Sequence, residues 1–194
     1  MKKIFTILTL AALLFSPAFA QAKTILRTVE GIVVKVSDGD TINVRDARGT
    51  KLKVRLYGID APETEKSSKK TGLVSKPGQP YGEQAFRTLE GLIHHKKVTV
   101  EVMDKDRYNR LVAVVWLAEK NINQEMVAEG YAWAYKQYLD TPSVSEFTRL
   151  EEQARRKRRG LWRQNNPQPP WEFRRFLNRS KHNGGMLTGR TRSS

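Results

Sequence analysis

The sequence predicts a small α+β domain in which five strands form a barrel and helices pack at its ends. Three observations lead to this fold class. Segments rich in β-branched residues alternate with polar residues, tight Asp- and Gly-containing connections separate them, and three further segments carry apolar residues at helical spacing. With 194 residues, of which 39% are hydrophobic, the chain is long enough for one such domain with a core and additional tails.

Five strands are expected from the alternating segments. Three antiparallel strands occupy residues 28–59, where polar turns at 37–40 and 46–50 separate them. Two more strands are predicted at 98–103 and 111–117, with a polar turn between them. Consecutive strands joined by short turns favour a barrel-like meander.

Three helices are expected from the segments with helical spacing. The first is predicted at 81–95, and a short second helix at 123–129 is ended by Gly130. The third begins with a capping box, because a glutamate follows Ser143 three residues later, and it ends at Gly160.

The N-terminal segment predicts export. Residues 1–20 have a basic start, an apolar run and a small-x-small end at Ala20, which is the pattern of a secretory signal peptide. The apolar run is shorter than the roughly 20 residues that a membrane span needs. We therefore expect cleavage, a periplasmic or secreted mature protein, and no membrane association after cleavage.

The rest of the chain divides into a domain and a tail. The folded domain is expected at 24–162, and the basic, Gly- and Pro-containing stretch 65–80 is expected to be a mobile loop within it. Residues 163–194 hold seven basic residues and one acidic residue, with too few apolar groups to fold alone. This tail is expected to be mostly disordered, with docking of Trp171, Phe173 and Phe176 on the domain left open.

Composition excludes several kinds of chemistry. The chain has no cysteine, which rules out a disulfide scaffold, a thiol nucleophile and a thiolate metal site. Three histidines, two of them adjacent, are too few for mechanisms that need several separated imidazoles. The net charge of +15 favours a polyanionic partner, which could be nucleic acid, anionic lipid or an acidic polysaccharide.

A cluster of carboxylates predicts a metal site. Asp38 and Asp40 lie in one turn, and Asp60 and Glu63 lie one strand later, so a short meander can bring them together. Asp-Gly alone would indicate only a hairpin turn. Four crowded carboxylates, however, would repel one another without a cation, and hard oxygen ligands suit Ca²⁺ or Mg²⁺. The proline after Ala61 leaves the Ala61 carbonyl free to face a metal.

Two arginines would complete a site for phosphoryl transfer. Arg55 lies between Val54 and Leu56 on a half-buried strand. Successive side chains of a strand point to opposite faces, so Arg55 faces away from these two apolar neighbours. Arg110 follows the turn at 106–109. Guanidinium groups match phosphate oxygens and stay charged at any working pH, so together with a metal they can offset the charge of a pentacovalent phosphorus.

An ordered set of motifs resembles the staphylococcal nuclease (thermonuclease) family. The motifs are V-K-V-S-D-G-D-T (34–41), V-R-L-Y-G-I-D-A-P-E-T (54–64), D-R-Y-N-R (106–110) and A-R-R-K-R-R-G-L-W (154–162). The match runs from about Val29 to Trp162. The fold that this resemblance implies is a five-stranded OB-type β-barrel packed with three α-helices.

The resemblance also implies roles for individual residues. Asp40 and Asp60 would ligate Ca²⁺ through their carboxylates, and the Ala61 backbone carbonyl would be the third protein ligand. Asp38 would stand one layer behind these ligands. Glu63 would be the general base that orients the attacking water.

The arginines and tyrosines would handle the phosphate and the base of the substrate. By resemblance, Arg55 would contact the phosphate through the transition state, and Arg110 would stabilise the developing charge and the leaving group. The matching positions that face the substrate are Arg107, Tyr108, Tyr135 and Tyr138.

The function implied is a monomeric, Ca²⁺-dependent and sugar-nonspecific endonuclease that hydrolyses DNA and RNA. A catalytically inactive OB-type module that only binds nucleic acid is the alternative, but such modules typically lack these carboxylates and arginines. A cationic envelope protein that binds anionic lipid is a third hypothesis, and it leaves the acidic cluster unexplained.

Overall fold

Alternating β-branched segments form the strands of a closed barrel. The computed structural model describes residues 24–68 and 70–187; the predicted signal peptide at 1–20 lies outside the described residues. Its strands are β1 (Arg27–Asp38), β2 (Thr41–Asp46), β3 (Lys51–Leu56), β4 (Ile59–Asp60), β5 (Lys66–Ser67), β6 (Val74–Lys76), β7 (Lys97–Lys105), β8 (Leu111–Leu117), β9 (Lys120–Asn121) and β10 (Trp133–Ala134).

Five of these strands close the barrel. The sheet order is β3-β2-β1-β7-β8-β9, all neighbours being antiparallel, and a parallel pairing of β3 with β8 joins the two sides. Inward-facing valines fill the interior: Val33, Val44, Val54, Val100 and Val115 are all completely buried. The prediction of an α+β fold with a five-stranded barrel is therefore confirmed.

In the described part of the chain, four α-helices lie around the barrel: α1 (Gly82–Ile93), α2 (Ile122–Ala128), α3 (Thr141–Arg156) and α4 (Pro170–Leu187). Helix α1 buries Ala85, Leu89 and Ile93, which lie four residues apart and so share one face. Helix α2 contributes Met126 and Val127 to the same core.

The start and end of α3 differ from the sequence prediction. Asp140, not Ser143, caps the helix, because its side chain accepts a hydrogen bond of 3.0 Å from the Ser143 backbone N–H. Glu146 pairs with Arg149 instead of closing a capping box. The last helical residue is Arg156, and Gly160 falls in a separate 3₁₀ turn.

The stretch 65–80 contains structure where the sequence predicts a mobile loop. Strands β5 and β6 pair as a short antiparallel hairpin, with Lys66 opposite Lys76. The composition is polar and basic, so the pattern of burial that normally signals a strand is missing here. The hairpin matters for the site because it carries Lys76 to Glu63.

The tail also departs from the prediction of disorder, because residues 170–187 form α4. Pro170 suits the first position of a helix, where its missing N–H costs no hydrogen bond. Trp171 packs against a small aromatic cluster that contains Trp133 and Trp162. Phe176 on the same helix stays 59% exposed. A docking surface on the domain therefore supplies the apolar contact that the tail itself lacks.

Within the part of the chain that the structure describes, none of the helices combines the length and apolar character that a membrane crossing requires.

Asn123 stabilises the closure of the barrel. This completely buried side chain accepts a hydrogen bond of 3.0 Å from the Val115 N–H and donates to the carbonyls of Tyr57 (2.9 Å) and Ala113 (3.1 Å). It thus connects β8 to the segment that follows β3.

Replacing Asn123 with alanine is expected to lower the free energy of unfolding by about 3 kcal/mol, because three buried hydrogen bonds are lost. Urea denaturation measures this change. The exposed Asn165→Ala is the matched control and should stay within about 0.5 kcal/mol of wild type. Equal stability of the two variants would show that closure does not depend on this amide.

Candidate active site

The pairing of β2 with β3 positions the first part of the site. Arg55 lies opposite Thr41 in this pairing, and the Leu56 N–H donates to the Asp40 carbonyl at 2.9 Å. Asp40 is therefore held beside the end of β3. Asp60 closes β4 a few residues later, where it pairs with Trp133 of β10. Both carboxylates are buried, at 5% and 0% exposure.

Arg55 joins the two aspartates. Its Nη1 donates to Asp40 Oδ2 and its Nη2 to Asp60 Oδ1, each at 2.8 Å. The structure thus brings Asp40 and Asp60 to opposite sides of one guanidinium. Two buried carboxylates can lie this close because a delocalised cation separates them.

Burial and charge change the proton affinities in this cluster. Burial by itself would raise the pKa of Asp40, but Arg55 and hydrogen bonds from Thr41 and Ala61 hold that pKa below its usual value. Burial raises the pKa of Asp60, and the nearby charge of Asp40 adds to this effect. Burial opposes the charged form of Arg55, yet the two carboxylates outweigh it and raise the Arg55 pKa.

Gly39 allows the turn at Asp40 to approach the rest of the site. A Cβ atom at this position would lie 2.7 Å from the Ala85 Cβ and 2.8 Å from the Ala61 Cβ. The close approach brings the Ala61 N–H to 3.3 Å from Asp40 Oδ2. The Asp-Gly-Asp sequence therefore does more than form a hairpin turn.

Glu63 belongs to the same cluster of charged side chains, and it is 8% exposed. Its backbone is held by Gln79, whose Oε1 accepts from the Glu63 N–H at 3.1 Å and whose N–H donates to the Glu63 carbonyl at 2.8 Å. One carboxylate oxygen accepts a hydrogen bond from Lys76 Nζ, and the other accepts from Arg174 Nη1 at 2.9 Å.

Arg174 of α4 is a site residue that sequence reasoning missed. Its Nη2 donates to Asp60 Oδ2 at 2.7 Å, and its Nη1 donates to Asp60 Oδ1 at 3.1 Å as well as to Glu63. The contacts span more than 100 residues of sequence, so no local pattern distinguishes Arg174 from the other tail arginines. The sequence feature that could have indicated docking of this segment is Trp171 in P-P-W-E-F-R-R, since an aromatic residue can anchor a tail to the domain.

Arg110 reaches the same edge of the barrel from the turn before β8. Asp106 orients it by accepting from the Arg110 Nε at 2.7 Å and from its backbone N–H at 2.9 Å. Asn109 adopts the left-handed conformation with φ 66°, which asparagine tolerates. The Arg110 charge is near enough to Asp40 to contribute to its lowered pKa.

The remaining predicted residues fall into two groups. Tyr108 is 64% exposed and accepts a hydrogen bond of 2.8 Å from Arg107, and Arg110 lies 5.6 Å from its ring centroid. Tyr135 and Tyr138 form the second group, with ring centroids 4.8 Å apart. The Tyr135 N–H donates to the Gly58 carbonyl at 2.8 Å, two residues before Asp60, and burial and the charge of Asp60 raise the pKa of Tyr135.

Asp38 does not join the Arg55 bridge. Its carboxylate pairs with Lys66 Nζ at 2.9 Å, and the same ammonium donates to the Ser37 carbonyl at 2.6 Å. Asp38 therefore connects the turn before β2 to the hairpin of β5 and β6.

The donor set fits a calcium ion. Asp40 and Asp60 supply two hard carboxylates beside the Ala61 backbone, and water can complete the six to eight oxygen ligands that Ca²⁺ takes. Among residues 24–68 and 70–187, no three Asp, Glu, His or Cys side chains are grouped so that they could hold a metal ion. A cation here would depend on two carboxylates, the carbonyl and solvent.

Comparison with known proteins agrees with the fold. Residues 53–164 match the family model described as staphylococcal nuclease homologue. The chain is 41% identical over 143 residues to an uncharacterized endonuclease of Haemophilus influenzae, an alignment that covers 74% of this chain and 71% of the relative. It is 39% identical over 154 residues to a micrococcal nuclease of Shigella flexneri, covering 75% of this chain and 80% of the relative.

A third relative aligns over more of the chain. The protein ParB of Escherichia coli is 35% identical over 178 residues, which is 87% of this chain and 88% of the relative. A barrel with clustered carboxylates and arginines, matched over most of its length by nucleases, defines the class. The chain belongs to the staphylococcal nuclease family, and its homologues support a nuclease function.

Asp106→Asn is expected to cost stability at neutral pH but not in strong acid. Burial would raise the Asp106 pKa, yet hydrogen bonds from Arg110 lower it overall. A lowered carboxyl pKa stabilises the fold above the unfolded pKa, and this contribution is lost as the pH falls through the folded pKa. The loss should be about 1 kcal/mol near pH 7 and vanish near about pH 2.

Thermal unfolding across this pH range measures the difference. Glu119→Gln removes the same charge at an exposed turn position and should show no such pH dependence. A constant gap between Asp106→Asn and wild type at all pH values would contradict the expectation.

Proposed function

We propose that this protein is a Ca²⁺-dependent, sugar-nonspecific endonuclease that hydrolyses phosphodiester bonds in DNA and RNA. The observation that carries the proposal is the gathering of Asp40, Asp60 and Glu63 around Arg55 and Arg174 at one edge of the barrel. Relatives whose names describe an endonuclease and a micrococcal nuclease give independent support.

Calcium would be held by Asp40, Asp60 and the Ala61 carbonyl. When bound, it would offset negative charge on the phosphate and lower the barrier to attack. Asp40 would be ready to bind a cation, because the charge of Arg55 helps to hold its pKa below the usual value despite burial. Hard oxygen donors of this kind suit Ca²⁺ better than a transition metal.

Glu63 would be the general base. Its carboxylate would accept a proton from a water molecule as the water oxygen bonds to phosphorus and the bond from phosphorus to the leaving oxygen breaks. The proton would rest on a Glu63 oxygen, and the leaving oxygen would take a proton from solvent. The double hydrogen bond with Gln79 fixes the Glu63 backbone for this role.

The arginines would stabilise the charge that develops on phosphate. Arg55 is held by two carboxylates and so needs little reorganisation, which is the condition for effective electrostatic stabilisation. Arg110 is oriented by Asp106, leaving part of its guanidinium for the leaving-group side.

The substrate would be held by aromatic faces and by charge. Tyr108 with Arg107 on one side and Tyr135 with Tyr138 on the other offer rings against which bases can stack in any sequence. The full chain has a net charge of +15, of which Lys2 and Lys3 in the predicted signal peptide contribute two, so the mature chain keeps a large positive charge that adds salt-dependent attraction to the phosphate backbone.

The same proposal includes export of the protein as a monomer. It also includes a supporting role for Asp38, which would hold the turn that carries Asp40. Residues 1–20 would be removed after Ala20, and the mature chain would act in the periplasm or the medium. Mass spectrometry of the protein purified from the periplasm and from the medium tests cleavage after Ala20 and export.

Cleavage should depend on calcium and on Glu63. Wild-type protein should cut duplex DNA, denatured DNA and RNA with Ca²⁺, and EDTA should abolish cutting. Glu63→Gln should lower turnover by about 10²- to 10⁴-fold, because the general base is lost. Glu65→Gln, an exposed carboxylate two residues away, is the matched control and should cut at the wild-type rate.

Tight binding to nucleic acid without cleavage under Ca²⁺ or Mg²⁺ would overturn the proposal. The inactive OB-type binding module would then be the better description. Wild-type turnover by Glu63→Gln would instead show that another group is the base.

Arg55→Lys should lower turnover by about 10²- to 10³-fold, because a single ammonium cannot reproduce the forked contact with both aspartates. Folding should change little, since a positive charge remains between Asp40 and Asp60. Single-turnover kinetics and circular dichroism measure the two effects. Arg87→Lys, on the exposed face of α1, is the control; similar rates for both variants would refute the role of Arg55.

A further inference from the structure

The guanidinium of Arg174 binds the groups that the proposed reaction needs free. Both oxygens of Asp60 accept hydrogen bonds from it, at 2.7 and 3.1 Å, and Glu63 Oε1 accepts a third at 2.9 Å. The other Glu63 oxygen, Oε2, accepts a hydrogen bond from Lys76 Nζ. A carboxylate that accepts a bidentate guanidinium has fewer lone pairs available for a metal or for a water proton.

Arg174 is carried there by an anchored segment. Trp171 stacks on Tyr135 with ring centroids 5.2 Å apart and an interplanar angle of 8°, and it meets Trp133 edge-on at 5.6 Å. Just before the helix, the Gln168 carbonyl accepts a hydrogen bond of 3.2 Å from Gln79 Nε2. The start of α4 therefore covers a proposed base-stacking tyrosine while Arg174 covers the carboxylates.

The arrangement has features of a reversible contact. The Arg174 side chain is 35% exposed, whereas the Asp60 side chain is completely buried. Trp171 packs against the aromatic cluster, whereas Phe176 on the same helix is 59% exposed. An ion pair that remains partly hydrated can open without the cost of stranding a guanidinium in an apolar interior.

We propose that the start of α4, with Arg174 at Asp60 and Glu63 and Trp171 on Tyr135, is an autoinhibitory latch. The latch competes with calcium for Asp60 and with the substrate base for Tyr135, so binding of either one opposes the latched form. This inference rests on the proposed calcium-dependent nuclease function.

Mass action sets the size of the effect. If the latched form accounts for about nine molecules in ten, the apparent Kd for calcium is about tenfold weaker than that of the open form. Calcium at high concentration then overcomes the latch, so the inhibition appears as a shift in calcium dependence and not as a lower maximal rate.

The test compares Arg174→Ala with Arg175→Ala. Arg175 is the next residue on the same helix and is exposed, so its replacement removes the same charge without touching the site. Isothermal titration with calcium chloride, without substrate, should give an apparent Kd about tenfold lower for Arg174→Ala than for wild type. Arg175→Ala should bind calcium as wild type does.

Cleavage rates provide the second readout. Arg174→Ala should cut faster than wild type at low calcium, and the two rates should converge at saturating calcium. Trp171→Ala, which frees the helix without changing a charge, should shift calcium affinity in the same direction. Arg174→Lys, which keeps the charge but not the fork, should fall between wild type and Arg174→Ala and serves as the variant if Arg174→Ala does not fold.

The failures can be told apart. Equal calcium affinities for wild type and Arg174→Ala, with normal cleavage, would overturn the latch and leave the nuclease proposal standing. A slower maximal rate for Arg174→Ala at saturating calcium would overturn it in favour of a substrate contact by Arg174. Tighter calcium binding by Arg174→Ala with no cleavage by any variant would support the latch and overturn the nuclease. The absence of calcium binding by all variants would overturn both.

Discussion

The contact of Arg55 with Asp40 and Asp60 is the interaction on which the site depends. Two carboxylates with almost no exposure to solvent would repel each other and resist ionisation if they stood alone. One guanidinium that reaches both at 2.8 Å makes their common burial tolerable. Removal of either partner from such a group would leave an uncompensated buried charge, which is why the barrel has to hold all three in register.

The barrel provides that register. Pairing of β2 with β3 sets Arg55 opposite Thr41, and the parallel contact of β3 with β8 fixes the end of β3 against the rest of the sheet. Valine side chains that fill the interior leave little room for slippage, because a shift by one residue would turn them outward. Hydrophobic packing inside the barrel thus fixes the strand register, and the strand register positions the charged side chains of the site.

Helix α4 gives the same acidic cluster a second cationic partner. Arg55 comes from the barrel wall and faces both aspartates, whereas Arg174 comes from a segment outside the barrel and faces Asp60 and Glu63. The two arginines differ in how they are held: one by strand pairing, the other by an aromatic stack and its own ion pairs. A contact of the second kind is easier to exchange for another cation or for phosphate.

Much of this protein follows from local features of its sequence. β-branched alternation predicted the five barrel strands, helical spacing predicted α1 to α3, and the separation of Asp40 and Asp60 along one meander predicted that they meet. These features depend on near neighbours in the chain, or on strands joined by short turns, so pattern and spacing are enough to find them. The start of α3 was missed because Asp140 and Ser143 are both good caps, and only the backbone path chooses between them.

The tertiary structure alone decided the rest. The hairpin of β5 and β6, the docking of α4 and the position of Arg174 rest on contacts between distant parts of the chain, and each segment is too polar to show burial in its own pattern. For α4 the decisive surface is an aromatic cluster built by residues of β10 and of the turn after α3. A sequence determines which side chains can carry charge, but which carboxylate meets which arginine across more than 100 residues is settled by packing.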